Sequence, residues 1–316
     1  MQRPFSFNFV PLLFFLVLFS ACKEQVGKAE HISHKDNDMN LSKAKPVRNT
    51  LSERFKDYWY SGKAEITSFK LEQARYGELR SGSAVLIYVT EPFLADKQVK
   101  ADRSNPNNVS VLKLNSTKKF LTGIYPYSIM NSSFYPVSDN QHAIKLTASV
   151  QEWCGQVFTQ LNNRDKYEVN SFSYFETEGD KTITLDKTHL ENEIWNKIRI
   201  DPNNLPVGNI TMIPSMEYVR LAHKPLKAYE ARAEMKTEAN QNTYIITYPE
   251  LDRTLAISFN ATFPYAIESW SETYTSGFGA NAQTLTTKAT KIKTLKRAYW
   301  QENKNSDVFL RDSLGL

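Results

Sequence analysis

The segment LTASVQEWCGQVFTQL, residues 146–161, spaces a carboxylate, a thiol and an amide two residues apart: Glu152, Cys154 and Gln156. Side chains two apart on a strand share a face, so these three would stand with Val150 and Phe158. Buried polar groups need partners. Three arrangements supply them: a β-bulge near 152–155 that turns Trp153 inward and releases Glu152, an internal polar pocket, or a site with Cys154 as nucleophile. Gly155 and the odd position of Trp153 favour the bulge.

A cysteine nucleophile needs a base, usually histidine, with a third group to orient it. After residue 50 the chain offers His142, His189 and His223, and none forms a local motif with Cys154. Two acid sets have alternating spacing: Glu176, Glu178 and Asp180 in SYFETEGD, and Glu268 and Glu272 flanking Trp270. Such pairs suit general acid–base or metal work, but a turn or wet face explains them more simply, and Glu178-Gly179-Asp180 reads as a turn. HISH, with His31 and His34, is a weak metal signal. Neither a metal nor a cofactor is expected. There is no P-loop, GxSxG, HExxH, CxxC or GxGxxG.

Aromatic residues cluster in YWYSG (58–62), GIYPYSIMNSSFYP (123–136) and FPYAIESW (263–270). Sheet propensity and core packing account for most of them. The remainder could wall a sugar or lipid site. The candidate ligand-binding residues are Trp153, Cys154, Tyr125, Tyr127 and Trp270.

The elements that must position these groups read as strands. AEITSFKLEQARY (64–76) and SAVLIYVTEPF (83–93) flank GELRSG as a hairpin. QVFTQLNNRDKYEVNSFSYF alternates on both sides of a turn at Asn162–Lys166. Later runs alternate too, as around Ile292 between Lys291 and Lys293. Alternation gives one wet and one dry face, which suits an antiparallel sheet; regular βα spacing is missing, which disfavours a doubly wound fold. One helix stands out in DKTHLENEIWNKIRIDP. Thr188 and Glu191 have capping-box spacing, Leu190, Ile194, Trp195 and Ile198 form an apolar stripe, and Pro202 stops it. The expected fold is mainly β: a large curved antiparallel sheet or half-barrel with one main helix packed on it.

The N-terminus carries an address. MQRPFSFNFVPLLFFLVLFSAC has a cation, Arg3, an apolar run from Phe9 to Phe19 and small residues before Cys22. This is a secretory signal over residues 1–21, with an apolar core too short to span a bilayer. LFSAC resembles a bacterial lipobox, which implies lipidation of Cys22, including an acyl (palmitate) chain. By the same resemblance Lys23, rather than Asp, after the cysteine implies the outer membrane, facing periplasm or exterior. Residues 22–50 mix charges with few large apolar side chains and read as a disordered tether. Residues 51–316 read as a single β-rich domain. A lipidated Cys22 leaves Cys154 without a disulfide partner. The net charge of +5 falls by one once Arg3 leaves. It is spread out with no arginine cluster, so nucleic acid is not an expected partner.

The run from Tyr58 to Phe93, with EWCGQVFTQLN (152–162), SYFETEGD (173–180) and YVRLAH (218–223), resembles an uncharacterised family of Bacteroidota lipoproteins, over residues 51–300. Its members often carry the label "septum formation inhibitor Maf". The Maf nucleotide pyrophosphatases are cytoplasmic and marked by an SxSPRR-type loop, which this sequence lacks. The resemblance implies no known site residues. A lipidated antiparallel meander is also similar, at fold level, to the lipoprotein-carrier half-barrels of the envelope (LolA/LolB). The expected function is a non-catalytic module that binds a hydrophobic or glycan ligand in the concave face and meets the membrane through its anchor. The alternatives are a structural or adaptor subunit with an envelope protein partner, or a hydrolase using Cys154 or paired carboxylates.

Overall fold

A computed structural model describes residues 51–103 and 105–316. The signal segment 1–21, the lipidation site Cys22 and the tether 22–50 lie outside the described residues. No helix among the described residues is long and apolar enough to cross a membrane.

In chain order the elements are α1 (Glu53–Trp59), β1 (Ala64–Arg75), β2 (Glu78–Leu94), β3 (Val99–Lys100), β4 (Val109–Thr122), β5 (Tyr125–Pro136), β6 (Lys145–Glu152), β7 (Gly155–Asn163), β8 (Tyr167–Ser173), β9 (Lys181–Leu185) and β10 (His189–Leu190). Then come α2 (Glu191–Ile200), β11 (Gly208–Ile213), α3 (Met216–Leu221), β12 (Tyr229–Glu238), β13 (Gln241–Tyr248), β14 (Arg253–Asn260), β15 (Ile267–Ser276), β16 (Gln283–Arg297) and α4 (Phe309–Leu314).

All strands join one sheet in the order β10-β11-β12-β13-β14-β15-β16-β1-β2-β4-β5-β6-β7-β8-β9, with β3 paired to β2. Every pairing is antiparallel except the short β10–β11. The sheet is therefore mainly β and curved, as the alternation predicts. Its two edges, β9 and β10, are joined by only three residues, 186–188. The sheet must curl until its ends meet. At the seam the Tyr167 hydroxyl of β8 donates to the Thr188 carbonyl at 2.7 Å, and Thr188 Oγ1 donates to Thr211 of β11 at 2.7 Å.

Burial follows the two-residue period. In β14, Arg253, Leu255, Ile257 and Phe259 point inward, and the residues between them face out. Outward hydroxyls pair across strands, as Thr243 with Ser258 at 2.9 Å and Thr273 with Thr286 at 2.8 Å. β1 departs from alternation and is buried almost throughout. Its odd positions, such as Phe69 and Leu71, face the core, and Leu314 of α4 covers Ala64 and Ile66 on the outer side; the register shift opposite Ser68/Phe69 leaves Ile292 of β16 without a partner on β1.

A ring of this many strands is too wide for its own side chains to fill; α2 fills it. The helix is buried nearly all round, with Glu191, Glu193, Ile194, Asn196, Lys197, Ile198 and Arg199 enclosed. The expected apolar stripe on a sheet is thus one part of a helix wrapped by the sheet. Its polar groups reach opposite walls. Arg199 binds Glu65 of β1 through two nitrogens at 2.6 and 2.7 Å. Asn196 donates to the Leu112 carbonyl at 2.7 Å. The N-cap also differs from expectation: it is Leu190, and the Glu193 side chain accepts from its backbone N–H at 3.4 Å. α1 closes one end of the ring with Phe55 and Trp59, and α3 sits at the other.

The stretch 146–161 is not one strand. β6 and β7 form a hairpin with Glu152 opposite Gly155 and a two-residue turn at Trp153–Cys154. Face parity restarts at the turn, so Leu146, Ala148 and Val150 point inward on one strand, and Val157 and Leu161 on the next. The expected bulge is therefore a turn, and it sends Trp153 outward instead of inward.

Candidate functional site

The interior holds a chamber where α2 and α3 face opposite walls of the ring. Arg253 of β14 binds Glu191 through two nitrogens at 2.5 and 2.7 Å, and Glu272 of β15 at 2.7 Å. The Tyr248 hydroxyl donates to Glu191 at 2.8 Å. Across the chamber Lys118 of β4 donates to Glu217 of α3 at 2.7 Å, and Asn131 of β5 donates to its other oxygen at 2.8 Å. Arg253 lies over the Tyr218 ring at 4.1 Å, and Lys118 faces the Trp270 ring at 5.9 Å.

Burial alone would raise the Glu191 carboxyl pKa; Arg253 outweighs it and holds it below the usual carboxylate range. Burial alone would lower the Lys118 pKa; Glu217 and Glu272 raise it. These charges are fixed at neutral pH, so they are poor proton carriers. The remaining cavity is about 50 Å³, whereas ligand pockets run to roughly 300–1,000 Å³. Asn131 Oδ1 and Ser133 Oγ in its wall have no protein partner. A polar space of this size suits a few ordered waters. The chamber is an internal brace.

The α3 end of the ring is different. Hairpin turns alternate ends, so those at 76–77, 123–124, 153–154, 174–180 and 277–282 gather there. Neighbouring turns touch. A Cβ on Gly77 would clash with the Asn281 carbonyl oxygen, and one on Gly155 would meet the Tyr174 ring at 2.8 Å. At Gly77 the obstacle is backbone and φ is +76°, so only glycine fits there; at Gly155 the Tyr174 side chain would have to shift. Ile124, Trp153 and Tyr174 are 81%, 68% and 77% exposed, and Leu121, Phe172 and Phe278 are exposed beside them. This rim is an apolar collar.

Within the collar a groove of about 470 Å³ runs between α3 and the inner face of β7–β9. Val157, Ile183, Met216, Val219 and Leu226 supply its apolar walls. Glu178, Arg220 and His223 form its polar end. Arg220 donates to Glu178 Oε1 at 2.9 Å, His223 Nδ1 lies 3.0 Å from the same oxygen, and Arg220 lies over the Phe175 ring at 4.5 Å. Burial, helped by Arg220, lowers the His223 pKa, so the imidazole is neutral at neutral pH and can donate or accept. The groove can therefore hold an apolar body and hydrogen-bond a polar end.

The five candidate ligand-binding residues divide between these places. Trp153, Cys154 and Tyr125 lie at the rim; Tyr125 neighbours Cys154. Tyr127 is buried below them, hydrogen-bonded to Tyr76 at 2.8 Å and to Arg75 at 3.1 Å. Trp270 is deeper, T-stacked on Trp195 at 5.3 Å in the chamber wall. None of the five lines the groove. Cys154 is exposed, but its neighbour is Glu152, whose hydrogen bond and charge raise the thiol pKa. That is the reverse of nucleophile activation. Of the acids, Glu178 faces the groove, while Asp180 accepts from the Ser173 N–H at 3.1 Å in the turn. Glu268 bonds Lys291 and Asn260, and Glu272 bonds Arg253. A register shift at Ser258/Phe259 on the neighbouring strand separates that pair.

Sequence reasoning named His223 and Glu178 for other roles and missed Arg220. The signal available was their wealth of polar atoms in a loop and a short helix otherwise lined by apolar residues. His142 sits away from Cys154, with Nδ1 3.0 Å from Glu193.

Fold and site together define a nearly closed β-meander with an axial helix, a sealed charged interior and an open groove at one mouth. No family model matches the chain, and neither the curated proteins nor the solved structures contain a match.

Proposed function

We propose that the protein is a non-catalytic binding module for a small amphipathic ligand, carried on the outer membrane by a lipid on Cys22. The observation that supports this reading is the groove: apolar walls, one polar end, and a volume suited to a small molecule. The ligand class is an apolar body bearing a hydroxyl, carbonyl or amide head, placed against His223 and Glu178. The concave face as a whole is not the site in this reading, because α2 occupies it. The experiment is native mass spectrometry of the full chain released from its membrane in mild detergent. A defined extra mass that is lost in a Leu226→Trp variant, which fills the groove, supports the reading. An apo chain, or an adduct indifferent to that substitution, overturns it.

The exposed rim supports a second reading, an adaptor that docks an envelope protein through Ile124, Trp153, Tyr174 and Phe278. That reading expects crosslinks from rim positions to one protein and no groove adduct.

A further inference from the structure

At the end of the ring opposite the groove, the β5–β6 loop, β10 and the first turn of α2 bring two imidazoles and a carboxylate together. One ligating atom each from His142, His189 and Glu193 lies within 4.8 Å of the others. The rings of His142 and His189 are 6.0 Å apart. Glu193 is fully buried. One of its oxygens is 3.0 Å from His142 Nδ1, and the other accepts from the Ala143 N–H at 2.7 Å. His189 Nδ1 is buried and has no hydrogen-bond partner.

That orphan nitrogen carries the argument. A His–Glu hydrogen bond explains His142 and Glu193, but it leaves His189 with an unsatisfied buried nitrogen, which costs free energy. A metal ion would satisfy it. We infer that His142, His189 and Glu193 form a site for a divalent transition-metal ion, zinc by its ligand types.

Two neutral imidazoles and one carboxylate are the three-protein-ligand set that leaves a fourth zinc position open. Here both histidines line an open cleft of about 540 Å³ with Asn140 and Lys187, which leaves room for water or an anion. Tetrahedral zinc ligands stand about 3.3 Å apart, given bonds of about 2.0–2.1 Å. From the observed spread of up to 4.8 Å the three side chains would have to draw inward around the ion. The other charged groups around the cluster are Lys197, Lys187 and Asp139. Lys197, which lines the same cleft, opposes a cation. The ion would tie the edge strand β10 and α2 to the β5–β6 loop, acting as a clasp near the seam. This is independent of the groove.

The test is cobalt and zinc titration of the full chain after chelator stripping. The expected result is one equivalent of metal, with the visible bands of four-coordinate cobalt displaced by zinc. His142→Ala and His189→Ala should each weaken binding at least tenfold, while a His31→Ala/His34→Ala variant retains it. In the unmutated chain zinc should protect His142 and His189 from imidazole acylation, read by peptide mass, so the test stands even if a variant fails to fold. No stoichiometric binding, no protection, or loss of binding only with His31 and His34 overturns the inference.

Discussion

Two arginine–carboxylate–aromatic clusters meet at α3, and they behave oppositely. Arg253 packs on Tyr218 and holds Glu191 and Glu272, all buried. Arg220, two residues further along the helix from Tyr218, packs on Phe175 and holds Glu178 beside a half-exposed His223. The ingredients match and the surroundings do not. Inside, every charge is committed to a wall of the ring, and moving one would strand another in a low dielectric. At the mouth, His223 and Glu178 are part-exposed, so a ligand can exchange with their partners. Sealed ion pairs hold shape, and half-open ones exchange.

The largest expected effect breaks the inner cluster. Arg253→Met should destabilise the protein by about 3–5 kcal/mol, because it leaves two buried carboxylates uncompensated. Arg220→Met, its counterpart, leaves one part-exposed carboxylate instead of two buried ones, so it should cost less stability than Arg253→Met but weaken the groove ligand. Denaturant unfolding of both variants checks the contrast; equal losses would erase it.

Next is ligand binding itself. Val219→Trp projects into the groove and should weaken binding at least tenfold, about 1.4 kcal/mol, with the unfolding midpoint little changed. Calorimetry with the mass-identified ligand reads this.

The two clusters should also separate by pH. Glu191 has a folded pKa below its ordinary 4.5. Its contribution is complete above that value and is lost as pH falls through the lower folded pKa. His223 has a folded pKa below 6.5. Its contribution is present above 6.5 and is lost as pH falls through its own lowered value. Groove affinity should therefore hold at neutral pH and fall on acidification below 6.5, as His223 takes up a proton, which a pH series of binding read beside circular dichroism would show.

The smallest effects sharpen the comparison at the rim. Trp153→Ser and Tyr174→Ser should each alter stability by no more than about 0.5 kcal/mol, since neither side chain enters the core. Cys154 should alkylate slowly near neutral pH and faster as pH rises past its elevated pKa, without loss of the fold; rapid labelling at neutral pH would contradict the role given to Glu152.

The sequence was most legible where period and burial agree. Inward Leu255, Ile257 and Phe259 alternate cleanly, and Ile194 and Ile198 mark the helix, so a curved antiparallel sheet with one main helix follows from spacing alone. What it concealed was long-range. Arg253 sits in register with that apolar face, yet its partners Glu191 and Glu272 lie on other elements. The Trp153–Cys154 turn was hidden because GQVFTQL resumes alternation at once, so two strands read as one. The groove was hidden because its walls come from β7, β9 and α3, whose apolar residues are ordinary core residues in any local window. Arg220 and His223 gain meaning only from Glu178, brought to them by the ring.

The first and last strands of the sheet are neighbours in its middle: Ala64 pairs with Arg297. The runs β4–β9 and β12–β16 can zip from hairpin to hairpin. The junction between the halves is the reverse, a contact between residues near opposite ends of the domain. Closing so long a loop is entropically slow, and until it closes, β1 and β16 each expose an unpaired edge. Synthesis delivers that joining strand last, and a nascent chain stopped before β16 would lack the strand that links β15 to β1.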